Sequence, residues 1–220
     1  KVIYTGPVAN ISKNEHNIIP DNNGGIITLH STDLNNYSYV RISQIGEYLY
    51  ETQTRTTKLT TNFISNKYGG FVIGSKDWYG YNLVNMKIDK VNEIGQYCWD
   101  TPKIFADSIG EKSEIINIIF NADSSTSIYW RDQNLNGSAN GSYYQKVSKD
   151  GSLEIGQKGI SPFSSPTIGS RMVASNDDYL CISGNYVQKM TENGDKLWGE
   201  NGTQFTKRFA DYDDFVSDTH

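Results

Sequence analysis

The sequence predicts an all-β fold of the β-propeller kind, about four four-stranded repeats in a single domain spanning residues 1–220. Three observations carry that expectation. Tyr, Thr, Ser, Asn and Gly are abundant while Pro is limited to five residues, a bias toward strands and tight turns. No window of about a dozen residues keeps an apolar face at helical spacing. Finally, the stretch YYQKVSKDGSLEIGQKG (Tyr143 to Gly159) has a near twin in NYVQKMTENGDKLWGENG (Asn185 to Gly202).

Aligning the chain on the turn glycine of that twin places Gly46 in YVRISQIGEYLYE, Gly95 in VNMKIDKVNEIGQYCWD, Gly151 in YYQKVSKDGSLEIG and Gly194 in YVQKMTENGDKLWG. Intervals of roughly 45 to 55 residues belong to solenoids and propellers. In each copy an apolar/polar alternation enters the turn and another leaves it, so a hairpin forms the last two strands of a unit. Upstream of each hairpin lie NNGGIITLHS (Asn22 to Ser31), KYGGFVIGSKDW (Lys67 to Trp78), SEIINIIFNADSSTSIYW (Ser113 to Trp130) and IGSRMVASNDDYLCIS (Ile168 to Ser183). A Gly-Gly turn entering a β-branched run fits an inner strand with close neighbours; the third copy has no Gly pair. Four strands per unit of about 45 residues suit a propeller blade, whereas β-helix rungs are shorter.

The segment YVQKMTENGDKLWGENGTQF (Tyr186 to Phe205), with a Gly-Gly strand ahead of its hairpin counterparts, resembles the blade repeat of large secreted or surface proteins from Bacteroidetes-type bacteria. The resemblance covers nearly the whole chain, closely in the fourth copy and loosely in the first two. It implies a propeller in an exported, secreted or cell-surface bacterial protein, and it implies no chemistry. KVIYTGPVANIS (Lys1 to Ser12) resembles the tail of such a unit. The chain is therefore expected to open on the last strand of a preceding blade, either closing a four-bladed ring or forming part of a longer array, with a non-propeller β sandwich as the remaining alternative.

Composition narrows the function. With 36% hydrophobic and 20% charged residues the chain can bury a sizeable core, and a net charge of −5 without a basic block argues against a nucleic-acid partner. No apolar run approaches the length of about 18 residues that membrane insertion would need, and KVIYTGPV lacks the apolar core of a signal peptide, so an exported form would have lost its leader. Cys98 and Cys181 are too few for a disulfide scaffold; each is expected to be a small buried residue, a single bridge being the alternative. His16, His30 and His220 have no zinc-ligand spacing, and His30 reads as a structural residue at a strand end. No nucleophile elbow, phosphate loop or dinucleotide fingerprint is present. No cofactor is expected; calcium is the metal that NDD (Asn176 to Asp178) and DYDDFVSD (Asp211 to Asp218) would suit. A monomer is expected.

Aromatics give the best functional signal. KDWYGYN (Lys76 to Asn82) sets Trp78, Tyr79 and Tyr81 in a polar, Gly-containing loop, and SIYWRDQNLNGSANGS (Ser127 to Ser142) sets Tyr129, Trp130, Arg131 and Asp132 at the mouth of the longest polar loop. Flat apolar faces beside oriented polar groups suit a sugar ring or a protein surface. Insertions on one propeller face often mark the binding face, although the Asn-Gly-Ser steps there also match glycosylation acceptors. The competing expectation is that Trp78 and Trp130 pack between units, as Trp99 and Trp198 on the outgoing strand should.

Asp33, Asp77, Asp123, Asp132 and Asp177 recur after strands, where they could supply the two carboxylates of a glycosidase or simply accept turn hydrogen bonds. SKDG (Ser148 to Gly151) is similar to the Asp-box hairpin of sialidase-like propellers, with Ile155 where an aromatic is expected and no Arg triad. The expected function is non-enzymatic: an exported binding or scaffolding module for a glycan or protein. The alternatives are a glycoside hydrolase or lyase using loop carboxylates, and a structural segment of a longer surface protein.

Overall fold

The computed structural model describes residues 18–31, 37–55, 60–66, 68–78, 83–133, 141–164, 171–175 and 178–205. The opening segment from Lys1 to Ser12 lies outside them. The described residues are all-β and carry no helix. They form four sheets of consecutive strands. The first contains β1 (Ile18–Pro20), β2 (Ile26–Ser31), β3 (Tyr37–Ile42) and β4 (Tyr48–Gln53). The second contains β5 (Thr60–Ser65), β6 (Phe71–Trp78), β7 (Leu83–Val91) and β8 (Lys103–Gly110). The third contains β9 (Glu114–Phe120), β10 (Thr126–Asp132) and β11 (Gly141–Val147), and an isolated bridge from Tyr144 to Ile160 continues it. The fourth contains β12 (Arg171–Ser175), β13 (Asp178–Ser183), β14 (Tyr186–Thr191) and β15 (Thr203–Gln204). Each sheet keeps sequence order, so every connection is local.

The chain divides into two compact units. The described residues of Lys1–Asp77 and Ile88–Pro102 make one, and those of Trp78–Lys87 and Lys103–His220 the other. Each has its own core. Ile27, Leu29, Tyr39, Tyr50, Phe63, Phe71, Ile73 and Val91 fill the first; Tyr129, Tyr144, Phe163, Met172, Tyr179, Cys181 and Met190 fill the second. Alternate residues of β2 point inward, as the period-2 geometry of a strand requires, and Tyr39 meets Phe63 and Phe71 with ring centroids 5.4 and 4.7 Å apart. In the first unit β1 lies beside β5; in the second β9 lies beside β12, where Asn117 Nδ2 donates to the Met172 carbonyl at 2.7 Å.

The hairpin glycines occupy four copies of one turn. Ser43, Asn92, Ser148 and Thr191 each donate their N–H to the carbonyl four residues on, at 2.8 to 3.0 Å, and accept from the turn glycine at 2.9 to 3.1 Å. The side-chain oxygen of each also accepts the N–H four residues on, at 2.9 to 3.1 Å. Gly46, Gly95, Gly151 and Gly194 have φ between 82° and 89°, a left-handed conformation that costs a residue with Cβ about 1 to 2 kcal/mol. Ser, Asn or Thr followed by glycine three positions later is thus a turn with a side-chain cap.

The Gly-Gly motif opens an inner strand, as its sequence suggested: it joins the first and second strands of a sheet, and the second pairs on both edges, β2 with β1 and β3 and β6 with β5 and β7. In the first sheet Asp21 spans the turn, its Oδ1 accepting the Asn23 and Gly25 N–H groups at 2.8 Å. Asn66 does the same for Tyr68 and Gly70 at 2.9 and 3.0 Å. In the third sheet the turn runs from Asn121 to Ser125, and Ser124 takes the left-handed place of Gly24 and Gly69 with φ of 69°. The second glycine of the pair answers to packing. A Cβ on Gly25 or Gly70 would stand 2.2 Å from the Ile42 or Val91 carbonyl oxygen, inside any real contact.

Gly70→Ala should therefore lower the unfolding free energy by roughly 1 to 3 kcal/mol, because backbone must move. Gly184→Ala, at φ of 58° with open space around the added carbon, should cost no more than about 1 to 2 kcal/mol. Urea unfolding of the two variants compares the terms.

Candidate functional site

Within each unit one repeated arrangement joins neighbouring sheets: the side chain four residues after a turn glycine, Tyr50 in the first unit and Ile155 in the second, rests on the turn glycine of the next sheet, and Trp99 and Trp198 hold the same sequence position. In the first unit Tyr50 lies over the next sheet's turn, so that a Cβ on Gly95 would be 2.6 Å from its ring. Its hydroxyl donates to the Gly69 carbonyl at 3.4 Å, and Thr52 Oγ1 donates to the Gly95 carbonyl at 2.7 Å. Arg41, on β3, adds a polar strut. Its Nε donates to Asp21 Oδ2 at 2.8 Å and its Nη1 to the Glu93 carbonyl at 3.0 Å. Burial drives the Tyr50 hydroxyl up to about 12.

The second unit repeats the arrangement with other side chains. Ile155 and Ile160 stand 3.3 and 3.1 Å from where a Cβ on Gly194 would be. Tyr144 donates to the Glu192 carbonyl at 2.6 Å, and Lys146 Nζ donates to Glu192 Oε2 at 3.1 Å. Lys146 also faces Asp123 at 3.5 Å and Glu154 at 3.4 Å. Burial works against the Lys146 charge, but the three carboxylates outweigh it and raise its pKa. Arg41 and Lys146 occupy the same place in their sheets, as do Glu93 and Glu192 within one position of the turn cap. A deeper polar network supports β10: Tyr179 donates to Asn121 Oδ1 at 2.7 Å, and the Ser127 hydroxyl lies 3.0 Å from that of Tyr144.

Of the binding residues nominated from sequence, Trp78 ends β6 with 46% of its surface exposed. Tyr79 and Tyr81 lie outside the described residues. Tyr129 and Trp130 are fully buried, so neither offers a face to a ligand. β10 is the middle strand of its sheet and is covered on both sides. Tyr129 enters the core of the second unit, and Trp130 stacks on Tyr143 at 4.7 Å and meets Phe105 edge-on at 6.1 Å. Arg131 is ion-paired with Glu114, its cross-strand neighbour. Asp132 accepts from Ser113 Oγ at 2.9 Å.

Asp123 is a turn residue. Burial would raise its pKa, but the Ser125 hydroxyl and N–H, with Lys146, hold it below the usual carboxylate range. Asp77 lies on β6, and Asp33 and Asp177 lie outside the described residues. Among those residues no three His, Cys, Asp or Glu side chains gather as a metal would need. The run from Asp211 to Asp218 and Asn176 fall outside them, and Asp178 pairs with Lys189 at 2.9 Å. His30 lies on β2 opposite Ser38.

Two other expectations need correction. Trp198 is 41% exposed, unlike Trp99, which is 5% exposed and packed as expected. Cys98 is an exposed free thiol, and only Cys181 is buried; neither is bridged. The repeated Gln of the twin segments is structural. Gln145 and Gln188 are fully buried, and each donates to the carbonyl of the glycine eleven residues on, Gly156 or Gly199, at 2.6 Å. Their shared Gln-Lys spacing was the signal, and it marks a clamp on the loop that follows the hairpin.

No protein family model matches the chain, and no curated protein does. One solved structure similar to it is the crystal structure, at 1.35 Å resolution, of a protein of unknown function from Bacteroides caccae. The match has 11% sequence identity and a TM-score of 0.42, and covers 79% of this chain and 56% of that one. This chain thus spans a little over half the length of that structure.

Trp130→Ala should destabilise the fold by roughly 3 to 5 kcal/mol, as truncation of a buried Trp does, which thermal unfolding would register. Asp21 gives a pH test. Its burial would raise the carboxyl pKa, but Arg41 and two backbone N–H groups hold it below the usual range. A lowered folded-state pKa adds stability that is complete above the unfolded value of about 4 and is lost as pH falls through the folded value. Asp21→Asn should therefore be less stable at neutral pH by about 3 kcal/mol or more, because Arg41 is left buried without its partner. The deficit should shrink in acid, as unfolding series at neutral and low pH would reveal.

Proposed function

We propose that the chain is a propeller-type repeat module of an exported bacterial protein that works by binding or scaffolding, with a glycan or protein as ligand, rather than by catalysis. The observation that carries this reading is how the polar residues are used. Asp21, Asn66, Asn92, Asp123, Ser148 and Thr191 all spend their side-chain oxygens on backbone N–H groups of turns. Asp123 and Asp132, two carboxylates that a glycosidase could have used, hold turn or loop contacts. Four sheets in sequence order, each about one repeat long, support the propeller assignment, since that architecture sets meandering sheets side by side.

The ligand-facing candidate is Trp78, whose exposed ring ends β6 at the head of the segment containing Tyr79 and Tyr81. A half-exposed indole on a sheet end offers a flat apolar surface at small entropic cost, which suits stacking against a sugar ring. A glycan array probed with the wild type and with Trp78→Ala should show selective binding that the substitution reduces by about tenfold or more. Trp78→Ala should leave the melting temperature within a few degrees of the wild type, because the ring is half exposed. A blank array with folded protein would overturn the glycan reading.

A further inference from the structure

We propose that Asn23 is a site of spontaneous covalent modification, where the side-chain amide closes on the Gly24 nitrogen and is converted to aspartate and isoaspartate. Asn23 stands at the tip of the first Gly-Gly turn, and Asn22, Asn23 and Gly24 are all exposed. The reaction asks for a side-chain amide able to rotate, a backbone nitrogen able to attack it, and no side chain on the following residue to crowd the approach. Asn22 next to it lacks the first, because Ser65 Oγ and the Asn66 carbonyl hold its Nδ2 at 3.0 and 3.2 Å. In Asn23 the backbone N–H is engaged, on Asp21 Oδ1 at 2.8 Å, but no described residue holds the side-chain amide.

The Gly24 nitrogen sets this turn apart. At the same place in the second and third sheets, Gly69 and Ser124 donate their N–H to the Asn66 and Asn121 carbonyls at 3.3 and 3.1 Å. Gly194, which follows Asn193, is likewise tied to the Thr191 carbonyl at 3.0 Å. No described residue accepts from the Gly24 N–H. Asn201-Gly202 is restrained in another way. A Cβ on Gly202 would stand 2.3 Å from the Val187 carbonyl oxygen, and Thr203 pairs with Val187, so that backbone is pinned to β14.

In the reaction the Gly24 nitrogen gives up its proton and bonds to the Asn23 side-chain carbonyl carbon, the Cγ–Nδ2 bond breaks, and ammonia leaves. Water then opens the cyclic imide at either carbonyl, so both products carry a carboxylate. The isoaspartyl product lengthens the main chain between two N–H groups, those of Asn23 and Gly25, that share Asp21 Oδ1. It therefore loosens the turn that supplies the buried partner of Arg41, a pair that tolerates the loss of either member poorly.

Ageing the whole chain in mildly alkaline buffer, followed by peptide mapping that separates isoaspartyl peptides, tests this. The Asn23 peptide should convert several-fold faster than those carrying Asn193 and Asn201. Asn23→Gln should abolish that product with an unchanged circular dichroism spectrum. Aged wild type should unfold at lower urea than fresh protein, and the loss should be smaller in aged Asn23→Gln. Asn193 or Asn201 converting ahead of Asn23, or Asn23 converting only in urea-unfolded chain, would overturn the site. Converted protein as stable as fresh protein would overturn its link to the Asp21–Arg41 pair.

Discussion

The structure depends on one constraint: a bulky side chain leaving one hairpin must find a turn without a Cβ on the next sheet. Tyr50 on Gly95 and Ile155 on Gly194 are two solutions with different chemistry and the same geometry. The glycine answers two demands at once. Its φ lies in the left-handed region, which closes the hairpin, and its missing side chain leaves the surface on which the neighbour rests. Substituting it would disturb the hairpin and the packing together, so a residue that looks like a local turn former is also a long-range contact.

Around that contact, polar groups are handled by repetition. Arg41 and Lys146 are both nearly buried cations at the same place in their sheets, and each is held by acidic partners from the first turn or the next hairpin. Buried charges of this kind contribute little net stability, but losing one partner leaves the other uncompensated. Gln145 and Gln188 show the neutral version, each fixing the loop after its hairpin by donating to a glycine carbonyl, with Gln188 also donating to the Pro162 carbonyl. The repeat therefore conserves positions and roles rather than residue identities, as a unit contacting mainly its neighbours allows.

The hairpins were the most legible part of the sequence, because a Ser, Asn or Thr cap three positions before a glycine is a local signal with a local cause. The Gly-Gly turns were legible too, since each opens an inner strand as read, β2 or β6, but the strand ahead of each was not. The strand ahead of each is short or lacks strong alternation, IIP in the first sheet for example. In the third sheet Ser124 adopts the glycine conformation, so composition hid the turn. Tyr129 and Trp130 misled for another reason. SIYWRD reads equally well as a strand running into a binding loop and as a middle strand, and only burial by β9, β11 and Phe105 decides between them. Trp99 and Trp198 share a sequence position yet differ in exposure, since a neighbour's presence is not written in the local sequence.

The most direct measurement is a double-mutant cycle between Tyr50→Ala and Gly95→Ala, read by equilibrium unfolding. If the side chain rests on the turn, Gly95→Ala costs both backbone strain and a clash with the ring in the wild type, but only the strain of about 1 to 2 kcal/mol once Tyr50 is alanine. A coupling of about 0.5 to 3 kcal/mol is then expected. Additive effects, with Gly95→Ala costing the same in both backgrounds, would show that the turn glycine serves its hairpin alone and that the interlock between sheets does not exist.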